Sequence, residues 1–146
     1  MANTTYRVLK DKLIEQLRTI DEIQDVYGYP NLDFTGFPAA TIYPADQFDA
    51  SYDTTIDNKR NYIFVISLYY EIPKSGVEEA LDALYEIADD VMDLFDGNEF
   101  LTGISLPADY TMIGVYPTVT RWGRVPSKEI LVADIQVRVM VTHDIS

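Results

Sequence analysis

The chain reads as an α+β fold in which two helices pack on a mostly antiparallel mixed sheet, a two-layer sandwich. Three observations predict it. Segments 5–20 and 76–96 carry apolar residues at the three-to-four spacing of a helix. Segments 60–72 and 129–142 carry them at the period of two that suits a strand. The order is helix, two weaker strands, a long polar arm, a strong strand, helix and strand pair. That order supplies two helices to cover one face of one sheet. A length of 146 residues suits a single domain, 1–146, with an arm protruding at about 45–58.

The first helix places Leu9, Leu13, Leu17 and Ile20 on one side, with Lys10, Lys12, Glu15 and Arg18 mostly on the other. Thr4 or Thr5 suits its N-cap. Ile23 to Tyr27 is a short apolar stretch that reads as a strand, and Gly28, Pro30, Asn31 and Gly36 punctuate the loop after it. Phe37 to Tyr43 follows as a strand opened by Pro38 and closed by Pro44. Residues 45–58 hold four Asp and no Lys or Arg. Fourteen such residues exceed an ordinary connection, so they read as a functional arm.

Residues 60–72 give the strongest strand. Tyr62, Phe64, Ile66, Leu68, Tyr70 and Ile72 form an apolar face, and Ile63, Val65, Ser67, Tyr69 and Glu71 form a mixed one. A central strand covered on one face and partly on the other has that pattern. The second helix carries a stripe from Val77 through Ala80, Leu84, Ile87 and Val91 to Phe95, and Gly97 suits its C-terminal stop. Residues 98–109 read as a loop. Strands at 110–122 and 129–142 follow, with Gly123 and Pro126 supplying the turn between them. In the last strand Leu131, Ala133, Ile135, Val137, Val139 and Val141 alternate with Asp134, Gln136, Arg138 and Met140.

Charge narrows the function. Eleven Lys and Arg against 24 Asp and Glu leave a net −13. Tight binding of nucleic acid requires clustered bases, and docking on an anionic membrane requires the same, so both are excluded as partners. There is no Cys, hence no thiolate nucleophile and no thiolate zinc site. The lone His143 cannot build a two-His metal site. No apolar run reaches the ~20 residues of a membrane span. The first residues lack the apolar core of a signal peptide. The chain reads as cytosolic, with no cofactor. Phosphate-loop, dinucleotide, zinc-protease and nucleophile-elbow motifs are all missing, and no catalytic residue is assigned.

Two features carry the search for a site. Glu79, Asp82, Glu86, Asp89 and Asp93 recur at helical spacing on one outer face of the second helix, in a stretch without Lys or Arg. Like charges so spaced cost about 0.2–0.5 kcal/mol per pair. The face reads as solvated, as a docking surface for a basic partner, or as a wall that repels nucleic acid. A divalent-ion site there lacks the Gly-turned calcium loop. The second feature is aromatic. Trp122 lies between Arg121 and Arg124, with Lys128 nearby, and Phe48 and Tyr52 lie in the arm. Tyr, Trp and Arg are the residues enriched where chains bury against each other. The basic tip and the acidic helix could meet in trans, as a head-to-tail ring requires.

Segment 37–73 resembles the central part of the tail terminator, or tail completion, proteins of long-tailed bacteriophages. The likeness rests on Phe37-Pro38-Ala39, on Tyr52, Thr54 and Thr55, and on Asn58, Arg60, Tyr62, Phe64 and Ile66. In the helix it rests on Glu79-Ala80, Asp89 and Asp93. The resemblance implies a ring-forming protomer, a homo-hexamer that caps the head-proximal end of the tail tube and ends its polymerisation. Its partners would be itself, the tube protein and the head-tail connector or head-closure protein, with DNA as a passing, non-specific passenger. It would be assembled in the host cytoplasm and reside in the tail or neck of the virion. Subunit contacts map to the arm, with Phe48, Tyr52, Thr54 and Arg60, and to the hairpin with Arg121, Trp122, Arg124 and Lys128. Two other readings stand beside it: a head-closure or other neck ring, and a small acidic enzyme or ligand-binding domain.

Overall fold

The computed structural model describes residues 5–29, 36–45, 49–52, 57–74, 76–96, 106, 108–126 and 128–144. Helix α1 (Thr5–Leu17) is followed by strands β1 (Asp25–Tyr27), β2 (Ala39–Pro44), β3 (Asp49–Tyr52) and β4 (Asp57–Glu71). Helix α2 (Val77–Asp96) and strands β5 (Tyr110–Arg124) and β6 (Ile130–Asp144) complete it. One sheet runs in the order β1-β2-β4-β6-β5, with β3 also paired to β4. The β1–β2 pair is parallel and every other pair antiparallel, so the sheet is mixed and mostly antiparallel.

Both helices lie on one face. Leu9, Leu13 and Leu17 of α1 and Ala80, Leu84, Ile87, Val91 and Phe95 of α2 join Ile42, Phe64, Ile66 and Leu68 in one core. From β6 the same core takes Ala133, Ile135, Val137, Val139 and Val141. The α+β two-layer reading therefore holds. Helix α1 sits over β1 and β2, and α2 over β4, β6 and β5.

Local boundaries differ from the periodicity in ways that have causes. The first helix ends at Leu17 and not at Ile20. Thr19 and Ile20 donate to carbonyls three residues back, and the Thr19 hydroxyl takes the Gln16 carbonyl at 2.6 Å. That tightened turn still delivers Ile20 to the core. Thr5 is the first helical residue; Thr4 and Gly97 lie outside the described residues. The short strand is Asp25–Tyr27, because its register with Ala39–Thr41 covers only those residues. Gly123 is not in the turn: it pairs with Val132 inside β5, and the hairpin closes through Val125 and Lys128.

The largest difference concerns segment 45–58, read as one long unstructured arm. Part of it is strand. Asp49–Tyr52 pairs with Asn58–Asn61, and β4 already begins at Asp57. The register runs from Ala39↔Tyr69 to Pro44↔Phe64 and resumes at Asp49↔Asn61. Strands β2 and β3 thus lie in succession along one side of β4, while β6 pairs with the full length of its other side. A strand of 15 residues spans roughly 50 Å, so two short strands are needed to satisfy that side of it.

Candidate subunit interface

The predicted contact residues fall at two opposite ends of the long sheet. Arg60 pairs with Val141, and Arg121 pairs with Asp134, seven residues along β6. That is roughly 23 Å along the strand direction. Phe48 and Thr54 lie outside the described residues, and Tyr52 is placed only as the last residue of β3, opposite Asn58.

At the first end, Arg60 is engaged within its own chain. Its Nη1 donates to the Tyr110 hydroxyl at 2.8 Å, and its guanidinium carbon lies 5.6 Å from the centre of that ring. A hydrogen bond to Tyr62 leads the causes that hold its guanidinium still more firmly charged than an ordinary arginine. Tyr110 stacks flat on His143 at 4.3 Å. Tyr6 of α1 meets Tyr62 edge-on at 4.7 Å, and burial pushes its phenol pKa up. The sole histidine, whose position near the chain end gave little to interpret, thus closes an aromatic cluster that ties β4, β5 and β6 together.

At the second end, strand alternation sends the neighbours Arg121 and Trp122 to opposite faces. On the helix-free face the Arg121 Nε donates to Asp134 Oδ2 at 2.9 Å, and Ser67 Oγ donates to Asp134 Oδ1 at 2.6 Å. The Arg121 side chain is 63% exposed and that of Asp134 only 14%, so the aspartate is the buried hub. Arg124 pairs with Glu129 at 2.6 Å. Arg121, Arg124 and Pro126 rim a notch of about 240 Å³ floored by Tyr69, Val125 and Val132. Lys128 is exposed and contributes its backbone amide to the turn.

On the helix face Trp122 meets Tyr85 of α2 edge-on, with ring centres 5.1 Å apart. Both rings stay open to solvent, at 42% and 48%. The charge pattern gave no hint of this pair, because Tyr85 sits within an acidic run. The sequence signal was an aromatic at a surface position of an amphipathic helix. A double-mutant cycle, Tyr85→Ala with Trp122→Ala, should return a coupling of about 0.5–1.5 kcal/mol in urea unfolding, as aromatic pairs do. Additive effects would show that the rings merely adjoin.

Glu79, Asp82, Glu86, Asp89 and Asp93 are all exposed on α2. Helical spacing keeps them together on its outer side. Asp82 and Asp89 flank Tyr85 on the side toward β5. Glu86, nearer the opposite flank, rims with Glu22 a groove of about 280 Å³ lined by Pro38, Tyr70, Ala83 and Ile87. Among the described residues no group of three or more His, Asp or Glu is arranged to hold a metal ion. No described helix is long and apolar enough to cross a membrane.

The helix-free face, the long edge strand β5 and the Tyr85–Trp122 pair are the broadest features of the described surface. The structure is similar to a chain in one described as "Virion of native gene transfer agent (GTA) particle". The likeness covers 97% of this chain and 99% of that one, at a TM-score of 0.62 and 16% identity. The chain shares its fold with a virion component. No family model matches the sequence, and no curated protein does.

Proposed function

We propose that the chain is a structural virion protein that forms a ring, hexameric as the tail-terminator resemblance implies, at the head-proximal end of a phage tail tube. The observation that carries the reading is the end-to-end fold likeness to a virion chain. Two features of the molecule support it. Strand β5, 15 residues long, has a free outer edge among the described residues, and such an edge is a template for pairing with another chain. The net charge of −13 per chain suits a ring through which a duplex slides without sticking. In this role the protein ends tube polymerisation, offers the opposite face of the ring to the connector, and catalyses nothing.

The test is negative-stain electron microscopy of the purified protein, alone and with purified tail tubes. Closed rings seated on one tube end are the expected result. A protein that stays monomeric and never caps a tube overturns the reading. Rings that form but bind the connector and leave tubes uncapped transfer the protein to head closure.

A further inference from the structure

The two helices carry opposite charge and lie at opposite edges of the sheet. Helix α2 holds eight acids and no base. Residues 5–18, which are α1 and the residue after it, hold four bases (Arg7, Lys10, Lys12 and Arg18) and two acids (Asp11 and Glu15), a net of +2. The orientation of each helix about its axis is set by contacts. Ile14 and Lys10 lean over Gly28, the residue that follows edge strand β1: a Cβ there would meet Ile14 Cδ1 at 3.0 Å and Lys10 Cδ at 3.6 Å. Arg7, Lys10, Ile14 and Arg18 follow at three-to-four spacing, so a basic stripe runs along the β1 side of α1. Arg18 is exposed and makes no ion pair among the described residues. On α2 the contact between Tyr85 and Trp122 turns the stripe of Glu78, Asp82, Tyr85 and Asp89 toward the β5 edge.

These stripes face away from each other across a sheet five strands wide, roughly 19 Å from β1 to β5. They cannot meet within one chain. We propose that they meet between chains: the acidic, aromatic-centred stripe of α2 in one copy docks on the basic stripe of α1 in the next. The occupant is a second copy because its α1 supplies the complementary charge. The rings of Tyr85 and Trp122, open in the isolated chain, become the desolvated anchor of the contact, and the alkyl stem of Arg18 covers them. A contact that joins one surface to a different surface on the next copy is head-to-tail, and it propagates until the rotation closes. The inference rests on the ring reading and names the helix-layer contact within it. Lys10 stands 3.8 Å from Asp11 of its own chain, a looser pair than the 2.9 Å and 2.6 Å contacts by which Arg121 and Arg124 hold Asp134 and Glu129, so the α1 stripe and not the basic tip is the positive partner.

Charge reversal tests it. Asp82→Lys with Asp89→Lys reverses the stripe of α2 that holds Glu78, Asp82 and Asp89, and Lys10→Glu with Arg18→Glu reverses α1. All four positions lie outside the buried core, and urea unfolding of each variant checks that the fold is kept. Assembly is followed by sedimentation against protein concentration and by electron microscopy. Each reversed helix alone should raise the concentration for half-assembly at least about tenfold, and the chain carrying both should return to within about threefold of wild type. Trp122→Ala should weaken assembly without recovery by any charge change. Single reversals that assemble as wild type does, or a combined variant no better than either, overturn the contact while leaving the ring intact. A wild-type chain that remains monomeric with and without tubes overturns the ring reading and this contact together.

Discussion

Replacing Phe64 with alanine should destabilise the chain by about 3–5 kcal/mol, a large part of the roughly 5–15 kcal/mol that holds a domain of this size together. Phe64 is 1% exposed at the middle of β4, the strand that pairs with β2, β3 and β6. Its cross-strand neighbours are Pro44 and Val137, and the Tyr6 ring of α1 meets it edge-on with centres 5.9 Å apart. Truncation removes the ring's transfer free energy and leaves a cavity between the sheet and α1, where paired strands cannot collapse inward. Urea denaturation should show a lower midpoint with an unchanged slope. Truncation to alanine at Val65, one residue along and facing the helix-free side, should cost markedly less because fewer atoms are removed and the side chain is only half-buried. Equal losses at the two positions would show that the helix-free face is as tightly packed as the core, contrary to the two-layer description.

The second large effect is expected at Asp134. Its carboxylate is the hub between the exposed Arg121 and the buried Ser67, which is 1% exposed. Asp134→Ala leaves the Ser67 hydroxyl with the long 3.5 Å contact to Tyr43 and its hydrogen bond to Tyr69, and loss of the short charged acceptor costs about 1–3 kcal/mol. Arg121→Ala removes the solvent-exposed partner of the same ion pair and should cost under about 1 kcal/mol. The asymmetry is the diagnostic. Asp134→Asn, which keeps an acceptor for Ser67, should recover most of the loss. The double change Ser67→Ala with Asp134→Ala should cost less than the sum of the single ones. If Arg121→Ala proves as damaging as Asp134→Ala, the ion pair and not the buried hydroxyl carries the stability of this site.

Those two positions mark how far the candidate surface could be read without a fold. Arg121, Trp122 and Arg124 stand out in the chain as a basic cluster around an aromatic. Their adjacency suggests one patch, but the pleat splits it: Trp122 goes to α2 and Arg121 to the other face, where Asp134 waits. Neither Tyr85 nor Asp134 announces itself, because each is an ordinary residue of its own element and acquires its role from a neighbour distant in sequence. The acidic helix shows the same limit. Helical spacing places its carboxylates outside, but only the Tyr85–Trp122 contact tells which flank faces the sheet edge and which faces the groove beside Glu22.

The layers are legible in the chain's own periodicity. Periodicity is a property of one element, so α1, α2, β4 and β6 could be read from their own residues, as could the covered face of each. The −13 and the segregation of its acids were equally plain. The tertiary structure alone decided the pairings. The register that places β3 beyond β2 along β4 comes from which backbone groups lack partners once β4 is 15 residues long, and that pulled strand out of a segment whose composition suggested only an arm. It also decided that the acidic and basic helices lie at opposite edges, since burial of two apolar stripes on one sheet face sets them side by side and turns their charged flanks outward.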